Sequence, residues 1–275
     1  MFFKGENFSF PLKKRTYIMG ILNVTPDSFS DGGEYAETET ALDRAAIMAR
    51  QGADIIDIGA CSTAPSAEKI DAATEIKRLE KILPKLTADF DIPVSVDTFY
   101  PQTAEYALSC SAAIINDVSG VFNEDIARLI KKHNAGWIIT HGGDSAKETV
   151  TSDIIREVNS FFAHMVEKAE LFGINREQLC FDVGIGFGKS RENDFDLVRF
   201  ADKVDSCSCA LMYGASRKRL IEYLTGEEEP KLRMAGTLAA HIAAATGGAD
   251  FIRVHDVFEA VQSMKVTDAI IYGKR

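Results

Sequence analysis

Two chemical kinds of polar residue follow the apolar segments of this 275-residue sequence. Side chains that accept hydrogen bonds are Asp97, Asn116 and Asp182. Side chains that are cationic or can become so are Arg217, Lys218, Arg253 and His255. The acceptors suit the N–H edge of a flat heterocycle, and the cations suit a phosphate or diphosphate. A site that combines both groups would bind a polar heterocycle that carries an anionic group.

Eight short apolar segments rich in β-branched residues must position these side chains. They occupy residues 17–24, 54–60, 93–98, 113–118, 137–141, 179–184, 210–216 and 250–256. The stretches between them have helical spacing, one of them over residues 72–86, and several end in Gly, the usual residue after a helix. Strands that are apolar throughout and separated by helices indicate a parallel sheet covered by helices. We therefore expect a single domain over residues 1–275 that folds as an α/β protein, a (β/α)8 TIM barrel.

An open, doubly wound sheet is the alternative arrangement of the same elements. Its dinucleotide-binding form needs G-x-G-x-x-G after the first strand, whereas Gly184, Gly186 and Gly188 are spaced differently. Neither a linker nor a change in composition divides the chain, which favours the closed barrel. The opening residues 2–10, FFKGENFSF, predict a short N-terminal hairpin around Gly5 that caps the bottom of the barrel.

The active site of a parallel barrel lies at the C-terminal ends of its strands. Polar residues close nearly all eight segments there, namely Asn23, Asp57, Asp97, Asn116, His141, Asp182, Ser216, Arg253 and His255. Some of these have simpler explanations. We keep Asp57 outside the site as a hydrogen-bonding group of the barrel interior, and His141 is equally well explained as a structural histidine. We expect His133 and His164 on helix surfaces.

The composition argues against several classes of protein. The chain has 31 Lys and Arg against 41 Asp and Glu, so its net charge of -10 disfavours nucleic acid and anionic membrane partners. Its first residues lack the apolar core of a signal peptide, and no apolar run is long enough to span a bilayer. The five cysteines include no C-x-x-C, which fits a reducing cytoplasm. Cys207 and Cys209 are too weak a signal for a zinc site.

The order of the polar motifs resembles a known family. The motifs are GILNVTPDSFSDGG (20–33), VDT (96–98), INDVSG (115–120), DVGIGFGK (182–189), GASRK (214–218) and RVHD (253–256). Each motif alone is weakly specific. The ordered set closely resembles the dihydropteroate synthases, and the match runs nearly from end to end of the chain.

The resemblance implies a reaction and a set of site residues. Dihydropteroate synthases join p-aminobenzoate to 6-hydroxymethyl-7,8-dihydropterin diphosphate and release pyrophosphate. The implied pterin-binding residues are Asp97, Asn116, Asp182 and Lys218, and further substrate contacts are implied for Thr63, Phe187 and Gly214. The implied catalytic residues are Asn23, Lys218, Arg253 and His255, and of these Asn23, Arg253 and His255 handle the diphosphate together with Mg²⁺. Asn23 is the implied metal ligand, and a homodimer is implied through the small-residue stretch 235–245.

Two loops bear on the second half of this reaction. Residues 25–33 are rich in Asp, Ser and Gly, and we expect them to form a lid over the diphosphate. The loop that begins at Gly59 reads GACSTAP, where the family has Gly-Gly-Glu-Ser-Thr-Arg-Pro, so Cys61 and Ala64 replace a Glu and an Arg. That Arg adds positive charge near the diphosphate and the arriving aminobenzoate. Gly142 and Val183 are further departures, in place of a Met and a Pro.

Three functions remain open at this point. The first is a dihydropteroate synthase with an altered aminobenzoate loop. The second is a paralogue that binds pterin diphosphate but uses another amine or acts weakly. The third is a folate-binding methyl carrier that serves a corrinoid protein. A methyl carrier has no need of the Ser216 to Lys218 or the Arg253 to His255 motif, so their presence favours the first two.

Overall fold

A computed structural model describes residues 1–24, 33–61, 70–142 and 151–273 of the protein. An antiparallel hairpin of β1 (Phe2–Gly5) and β2 (Phe8–Pro11) opens the chain. Eight parallel strands follow, namely β3 (Tyr17–Asn23), β4 (Ile55–Gly59), β5 (Val94–Asp97), β6 (Ile114–Asp117), β7 (Gly136–Thr140), β8 (Leu179–Asp182), β9 (Ala210–Tyr213) and β10 (Phe251–Val254). They lie side by side in chain order, and β10 closes the barrel by pairing with both β9 and β3. The predicted (β/α)8 barrel and hairpin are confirmed.

Helices cover the outside of the barrel. They are α1 (Gly33–Gln51), α2 (Ala72–Leu79), α3 (Leu83–Asp89), α4 (Pro101–Ser109), α5 (Glu124–His133), α6 (Ile154–Leu171), α7 (Arg191–Arg199), α8 (Arg219–Thr225), α9 (Met234–Thr246) and α10 (Val257–Tyr272). Short 3₁₀ turns span Arg176–Gln178, Ala201–Lys203 and Pro230–Leu232. No helix within the described ranges is long and apolar enough to cross a membrane.

The single helix predicted over residues 72–86 is wrong, because the structure has two helices there. The first helix, α2, ends at Leu79, and the second begins with Pro84 in its first turn. Proline has no N–H to donate and its ring clashes with the preceding turn, so it is tolerated at a helix start but not inside a helix. The pattern of apolar residues continues across the break, which is why periodicity alone suggested one helix.

The two faces of each strand bury different side chains. Outward-facing residues such as Trp137, Phe181 and Tyr213 are fully buried against the helices. Full burial of one such side chain stabilises the fold by about 1.5–3 kcal/mol. Inward-facing residues are apolar near the start of a strand and polar near its end. On β6, for example, Ile114 is followed by Asn116 on the same face, because side chains two residues apart share a face. The strand sequence therefore directs polar groups to one end of the barrel interior.

The hairpin closes the opposite, N-terminal end, as predicted. Phe3 and Phe8 pack with ring centroids 5.0 Å apart, and Phe3 also contacts Phe251 edge-on at 5.6 Å. A β-carbon on Gly136, the first residue of β7, would lie only 2.7 Å from the Phe8 ring, so a larger residue there would push the hairpin away. The turn itself lies at residues 6–7, and Gly5 is the last residue of β1.

Candidate active site

The ends of neighbouring strands bring the predicted site residues together. Strand pairing aligns Asn23 with Gly59, Gly59 with Asp97, and Asp97 with Asn116. On the other side of the barrel, Asp182 is the last residue of β8, and Arg253 lies in β10. All of these residues lie at the C-terminal mouth, where short strands end in polar residues that the barrel interior holds close together.

An open cavity of about 320 Å³ lies at this mouth. Its lining consists of Ile21, Asn23, Cys61, Asp97, Gly186, Phe187, Arg217, Lys218, Arg219, Pro230, Arg233, Arg253 and His255. Six of these residues were predicted as site residues from the sequence, and they are Asn23, Asp97, Phe187, Lys218, Arg253 and His255. The volume suits a two-ring heterocycle, and the five cations suit an anionic group.

Asn116, Asp182 and Gly214 are predicted site residues that are not in this lining but lie beside it, Asn116 next to Asp97 in the sheet. A β-carbon on Gly214 would lie 3.7 Å from Asp182 Oδ2 and 3.8 Å from Arg253 Cβ, so the glycine leaves room between these side chains. The other carboxylate oxygen of Asp182 accepts a hydrogen bond from the backbone N–H of Gly184 at 2.9 Å. Burial raises the pKa of Asp182, and the positive charge of Lys218 opposes that shift.

Arg253 joins two buried carboxylates. Its Nε donates to Asp57 Oδ2 at 2.7 Å and its Nη2 donates to Asp97 Oδ2 at 2.9 Å. Asp57 also accepts from Asn116 Nδ2 at 3.1 Å. Burial raises the pKa of Asp97 to about 7, with the Arg253 charge opposing and the Asp57 charge adding to the shift. Burial disfavours the charge of Arg253, but the two carboxylates outweigh this effect and raise its pKa.

Asp57 is an interior hydrogen-bonding group, as interpreted from the sequence, but it also positions residues of the site. It is completely buried, and it holds both Arg253 and Asn116 in place. A charged residue in the otherwise apolar segment IIDIG was the available signal, because Asp is almost never fully buried unless it is paired. Spacing in the sequence could not identify its partners, since Arg253 is 196 residues away.

Lys218 reaches into the cavity across the loop that follows β8. Its Nζ donates to the Ile185 carbonyl oxygen and lies 4.3 Å from the centroid of the Phe187 ring. Gly186 has a φ of +78°, and a β-carbon there would lie 3.2 Å from the Lys218 side chain. Glycine at that position therefore serves both the turn and the close approach. Burial lowers the pKa of Lys218 to about 8, and Asp182 opposes that shift.

Ser216 and His255 form a hydrogen-bonded pair on the loops after β9 and β10. Ser216 Oγ lies 2.9 Å from His255 Nδ1 and accepts from the His255 backbone N–H at 3.2 Å. Burial lowers the pKa of His255 to about 3, and the charges of Arg217 and Arg253 add to the shift. The ring is therefore neutral at pH 7 and brings hydrogen-bonding atoms but no positive charge.

His141 is buried outside the cavity lining. Its Nε2 lies 3.7 Å from Glu157 Oε1, and its ring meets that of Phe161 edge-on. Lys189 Nζ donates to the carbonyl oxygens of His141 and Gly184 at 2.7 and 2.8 Å, which ties the loops after β7 and β8 together. This structural role of Lys189 was not predicted from the sequence, because a lysine that ends a glycine-rich motif more often faces an anion. His133 is half-buried and His164 exposed, each on a helix.

Side-chain oxygen atoms of Asn23 and Asp97 both lie near Gly59, the residue between them in the sheet. A β-carbon on Gly59 would lie 3.8 Å from both Asn23 Oδ1 and Asp97 Oδ2. A carboxamide and a carboxylate oxygen are ligand types that Mg²⁺ prefers, and the ion commonly takes its remaining ligands from water and substrate phosphates. Within the described ranges no group of three or more His, Cys, Asp or Glu side chains could hold a metal alone. The residues present therefore fit a cation that arrives with a phosphorylated substrate.

Some predicted features lie outside the described residues. They are Thr63, Ala64 and the expected lid, apart from Gly33, which begins α1. Cys61, which replaces the family Glu, lines the cavity.

A closed parallel barrel with buried charges at its C-terminal mouth defines the class of protein as a (β/α)8 barrel enzyme. The sequence matches the family described as pterin binding enzyme over residues 19–255. The dihydropteroate synthase of Synechocystis sp. is 41% identical over 262 residues, which cover 94% of this chain and 91% of that protein.

Solved structures agree with the sequence match. The dihydropteroate synthase of Clostridium difficile, crystallised in the presence of pteroic acid, is 39% identical with a TM-score of 0.90, and the match covers 96% of this chain and 100% of that one. The dihydropteroate synthase of Xanthomonas albilineans with 4-aminobenzoic acid is 36% identical with a TM-score of 0.87, and the match covers 93% of each chain. The chain therefore belongs to the pterin-binding enzymes, in the dihydropteroate synthase family.

Proposed function

We propose that this protein condenses 6-hydroxymethyl-7,8-dihydropterin diphosphate with p-aminobenzoate to give 7,8-dihydropteroate and pyrophosphate. One observation carries the proposal, namely that a single cavity joins buried acceptors to a cationic rim. The identity to dihydropteroate synthases over nearly the whole chain supports the same reaction. The known structures that resemble this protein include complexes with pteroic acid and with 4-aminobenzoic acid.

The pterin ring is assigned to the acceptor half of the site. Asp182 and Asn116 present oxygen atoms to the N–H edge of the ring, and Lys218 donates to its acceptor atoms. In support, Asn116 Oδ1 is buried and has no hydrogen-bond partner among the residues that the structure describes. Leaving a buried acceptor unpaired costs about 1–3 kcal/mol, which a donor on the ligand would recover. Gly214 leaves space beside Asp182, and Phe187 offers a flat surface to the ring.

The diphosphate is assigned to the cationic half. Arg253 and His255 alternate along one strand and its exit, so they face the same side, where they hold the leaving group. In the reaction, the bond between the pterin methylene carbon and the diphosphate oxygen breaks, and its electron pair leaves with pyrophosphate. The aminobenzoate nitrogen forms the new bond to carbon and loses a proton. Fixed donors around the departing oxygens stabilise the separating charges.

Mg²⁺ is part of this proposal, with Asn23 as its protein ligand. When bound, the ion neutralises charge on the diphosphate and makes it a better leaving group. Asn23 Oδ1 and the nearby Asp97 carboxylate supply the oxygen chemistry for it. Chelation of divalent cations should stop turnover and leave binding of a pterin without phosphate intact, which calorimetry can measure.

The competing functions are separated by one assay. Pyrophosphate release is measured with and without p-aminobenzoate, and dihydropteroate is measured by mass. A synthase releases pyrophosphate when the amine is present and forms dihydropteroate. A paralogue with another acceptor binds pterin diphosphate but forms no dihydropteroate, and the replacements at Cys61 and Ala64 are the features that favour it. A methyl carrier binds folate without releasing pyrophosphate, and the Ser216–His255 pair disfavours it.

The proposed assembly is a homodimer through the late helices, in the cytoplasm. Small residues such as Ala235 and Ala239 are exposed along α9, and the apolar residues Phe258 and Val266 are exposed on the adjacent helix α10. Monomers rarely leave a contiguous apolar surface in water. Cys110, Cys180, Cys207 and Cys209 are free thiols, in keeping with a reducing compartment. Sedimentation equilibrium of the full chain tests the dimer.

A further inference from the structure

Three buried side chains, one at the N-cap of α9 and two within the helix, hydrogen-bond to the loop that follows β9. They are Arg233, Thr237 and His241, each four residues from the next, so they form one stripe along the inner side of the helix. The loop they contact carries Ser216 and Lys218, two residues of the proposed site. We call these three side chains the α9 stripe.

The stripe binds backbone groups of the loop at three points. Thr237 Oγ1 accepts from the Arg217 N–H at 3.0 Å, and Arg233 Nη1 donates to the Arg217 carbonyl oxygen at 3.1 Å. His241 Nε2 accepts from the Ala215 N–H at 3.0 Å. Both backbone polar groups of Arg217 are therefore held by α9. The stripe therefore binds backbone groups of Ala215 and Arg217, the residues on either side of Ser216, and these bonds do not involve the loop's side chains.

Arg217 needs such restraint because of its backbone. Its φ is +59°, in the left-handed region that residues with a β-carbon rarely adopt. A strained residue persists only where the surrounding structure holds it, and such residues cluster at functional sites. The Arg217 side chain is held as well, by two hydrogen bonds to Asp256 at 3.1 and 2.6 Å.

The strained residue lies between two side chains that point into the site. On one side, Ser216 holds His255 through the 2.9 Å contact between Oγ and Nδ1. On the other side, Lys218 extends over Phe187. A change in the Arg217 backbone would therefore move both side chains, in opposite halves of the cavity.

Arg233, which also lines the cavity, has further partners on and just after α8. Its Nη2 donates to Glu222 Oε2 at 2.7 Å, and its Nε donates to the Glu227 carbonyl oxygen at 2.8 Å. The first of these partners lies on α8 and the second just after it. The guanidinium thus links α8 to the start of α9 and to the loop that both helices flank.

We propose that the α9 stripe is a positioning device for the reaction: Arg233, Thr237 and His241 fix the strained backbone of Arg217 and so set the places of Lys218 and His255. This assignment rests on the proposed function for its catalytic consequence. A purely structural stripe would instead stabilise the fold without changing how substrate is bound.

The test uses Thr237→Val in the full-length protein, because valine has the shape of threonine without the acceptor. Thr237→Ser keeps the hydroxyl and should restore function. Thr246→Val is the matched control, since Thr246 lies on the same helix and its hydroxyl donates only to its own helix, at the Ile242 carbonyl oxygen. Thr237→Ala, which removes the hydroxyl without adding bulk, guards against crowding by valine.

Two measurements decide the outcome. We expect hydrogen exchange of the Arg217 amide to become about tenfold faster in Thr237→Val and Thr237→Ala, and kcat/KM for pterin diphosphate to fall about tenfold. Thr237→Ser and Thr246→Val should stay within about twofold of the wild type in both measurements. Unchanged exchange at Arg217, or an equal loss of kcat/KM in Thr246→Val, overturns the proposal. A wild type that forms no dihydropteroate rejects the proposed function instead, and the exchange measurement still tests the stripe.

Discussion

At the N-terminal end of the barrel, Phe3, Tyr17 and Phe251 pack ring against ring, whereas at the C-terminal end Arg253 lies between the buried carboxylates of Asp57 and Asp97. The first arrangement is stabilising in itself, because it removes apolar surface from water. The second is costly, because buried ions lose hydration that their mutual attraction only partly returns. The same eight strands supply both ends.

This difference indicates that the ligand binds at the C-terminal end of the barrel. Buried oxygens of Asp57 and Asn116 have no hydrogen-bond partner among the residues described, whereas the aromatic cluster leaves nothing unpaired to satisfy. Polar groups retained at such a cost are typical of functional sites. Substitutions at the two ends should therefore differ in kind. Those at the mouth should change ligand binding, and matched ones at the base should not.

The largest effect is expected from Arg253→Ala. Removing the guanidinium leaves Asp57 and Asp97 buried without a counter-charge, so the free energy of unfolding should fall by about 3–5 kcal/mol. Binding of pterin diphosphate should weaken more than binding of the pterin alone. Denaturant unfolding and calorimetry measure the two effects.

The matched control is Arg15→Ala at the base. Arg15 pairs with Asp54 through two hydrogen bonds, but its side chain is half exposed. Exposed pairs contribute about 0–1 kcal/mol, so this variant should be nearly as stable as the wild type and bind both ligands normally. Equal weakening of both ligands in Arg253→Ala would show that Arg253 acts only on the fold.

Next in size is Asp182→Asn. One carboxylate oxygen already accepts from Gly184, and the other faces the space beside Gly214, where an amide N–H₂ would meet the ring's donors. The affinity for pterin should fall by about 2–4 kcal/mol, because ligand donors would be buried unpaired. Isothermal titration measures it.

Asp205 provides a control with the same local hydrogen-bond geometry at the N-terminal end of the barrel. Asp205, just before β9, accepts from the Cys207 N–H at 2.8 Å, in the same two-residue turn, but it is exposed. Asp205→Asn removes the same charge and should leave pterin affinity unchanged. If both variants bind pterin like the wild type, Asp182 does not belong to the site.

A smaller, pH-dependent effect is expected from the charges at the mouth. Burial raises the pKa of Asp97 to about 7 and lowers that of Lys218 to about 8. The profile of kcat/KM should rise as Asp97 ionises near pH 7 and fall as Lys218 loses its proton near pH 8. Lys218→Arg keeps a charged group at every accessible pH, so the alkaline fall should move upward even where activity is reduced. If the alkaline fall in kcat/KM occurs at the same pH in Lys218→Arg as in the wild type, that fall belongs to a group other than Lys218.

The sequence predicted which residues lie at the mouth of the barrel better than it predicted which residues they pair with. Segments such as VSVD and LCFD are apolar runs that end in Asp, and together with the order of eight such runs this pattern placed Asp97 and Asp182 at one mouth. The partners of Arg253 and Lys189 depend on contacts between distant segments, which no spacing encodes. The break at Pro84 and the left-handed backbone of Arg217 are likewise set by local sterics that hydrophobic periodicity does not register.

The smallest effect is expected at Ala64, where the family has an arginine. If the protein is a synthase, other cations supply positive charge to the arriving aminobenzoate. Lys189 is unsuitable as such a cation, because its buried Nζ donates to carbonyl oxygens of His141 and Gly184. Arg217 and Arg219 line the cavity, and Arg219 is the better candidate, because the Arg217 guanidinium is paired with the Asp256 carboxylate.

Ala64→Arg should then change the Michaelis constant for p-aminobenzoate by only about two- to fivefold and leave kcat unchanged. One more positive charge should contribute only about 0.2–1 kcal/mol where other cations already supply the charge. Arg219→Ala should have the larger effect on the same constant, and Ala64→Arg should partly rescue it. Steady-state kinetics of the two single variants and the double variant measure whether the arginine at position 64 compensates for the loss of Arg219. Tight pterin diphosphate binding by the wild type without any dihydropteroate at millimolar substrates would instead show that the acceptor half of the mouth has lost its function.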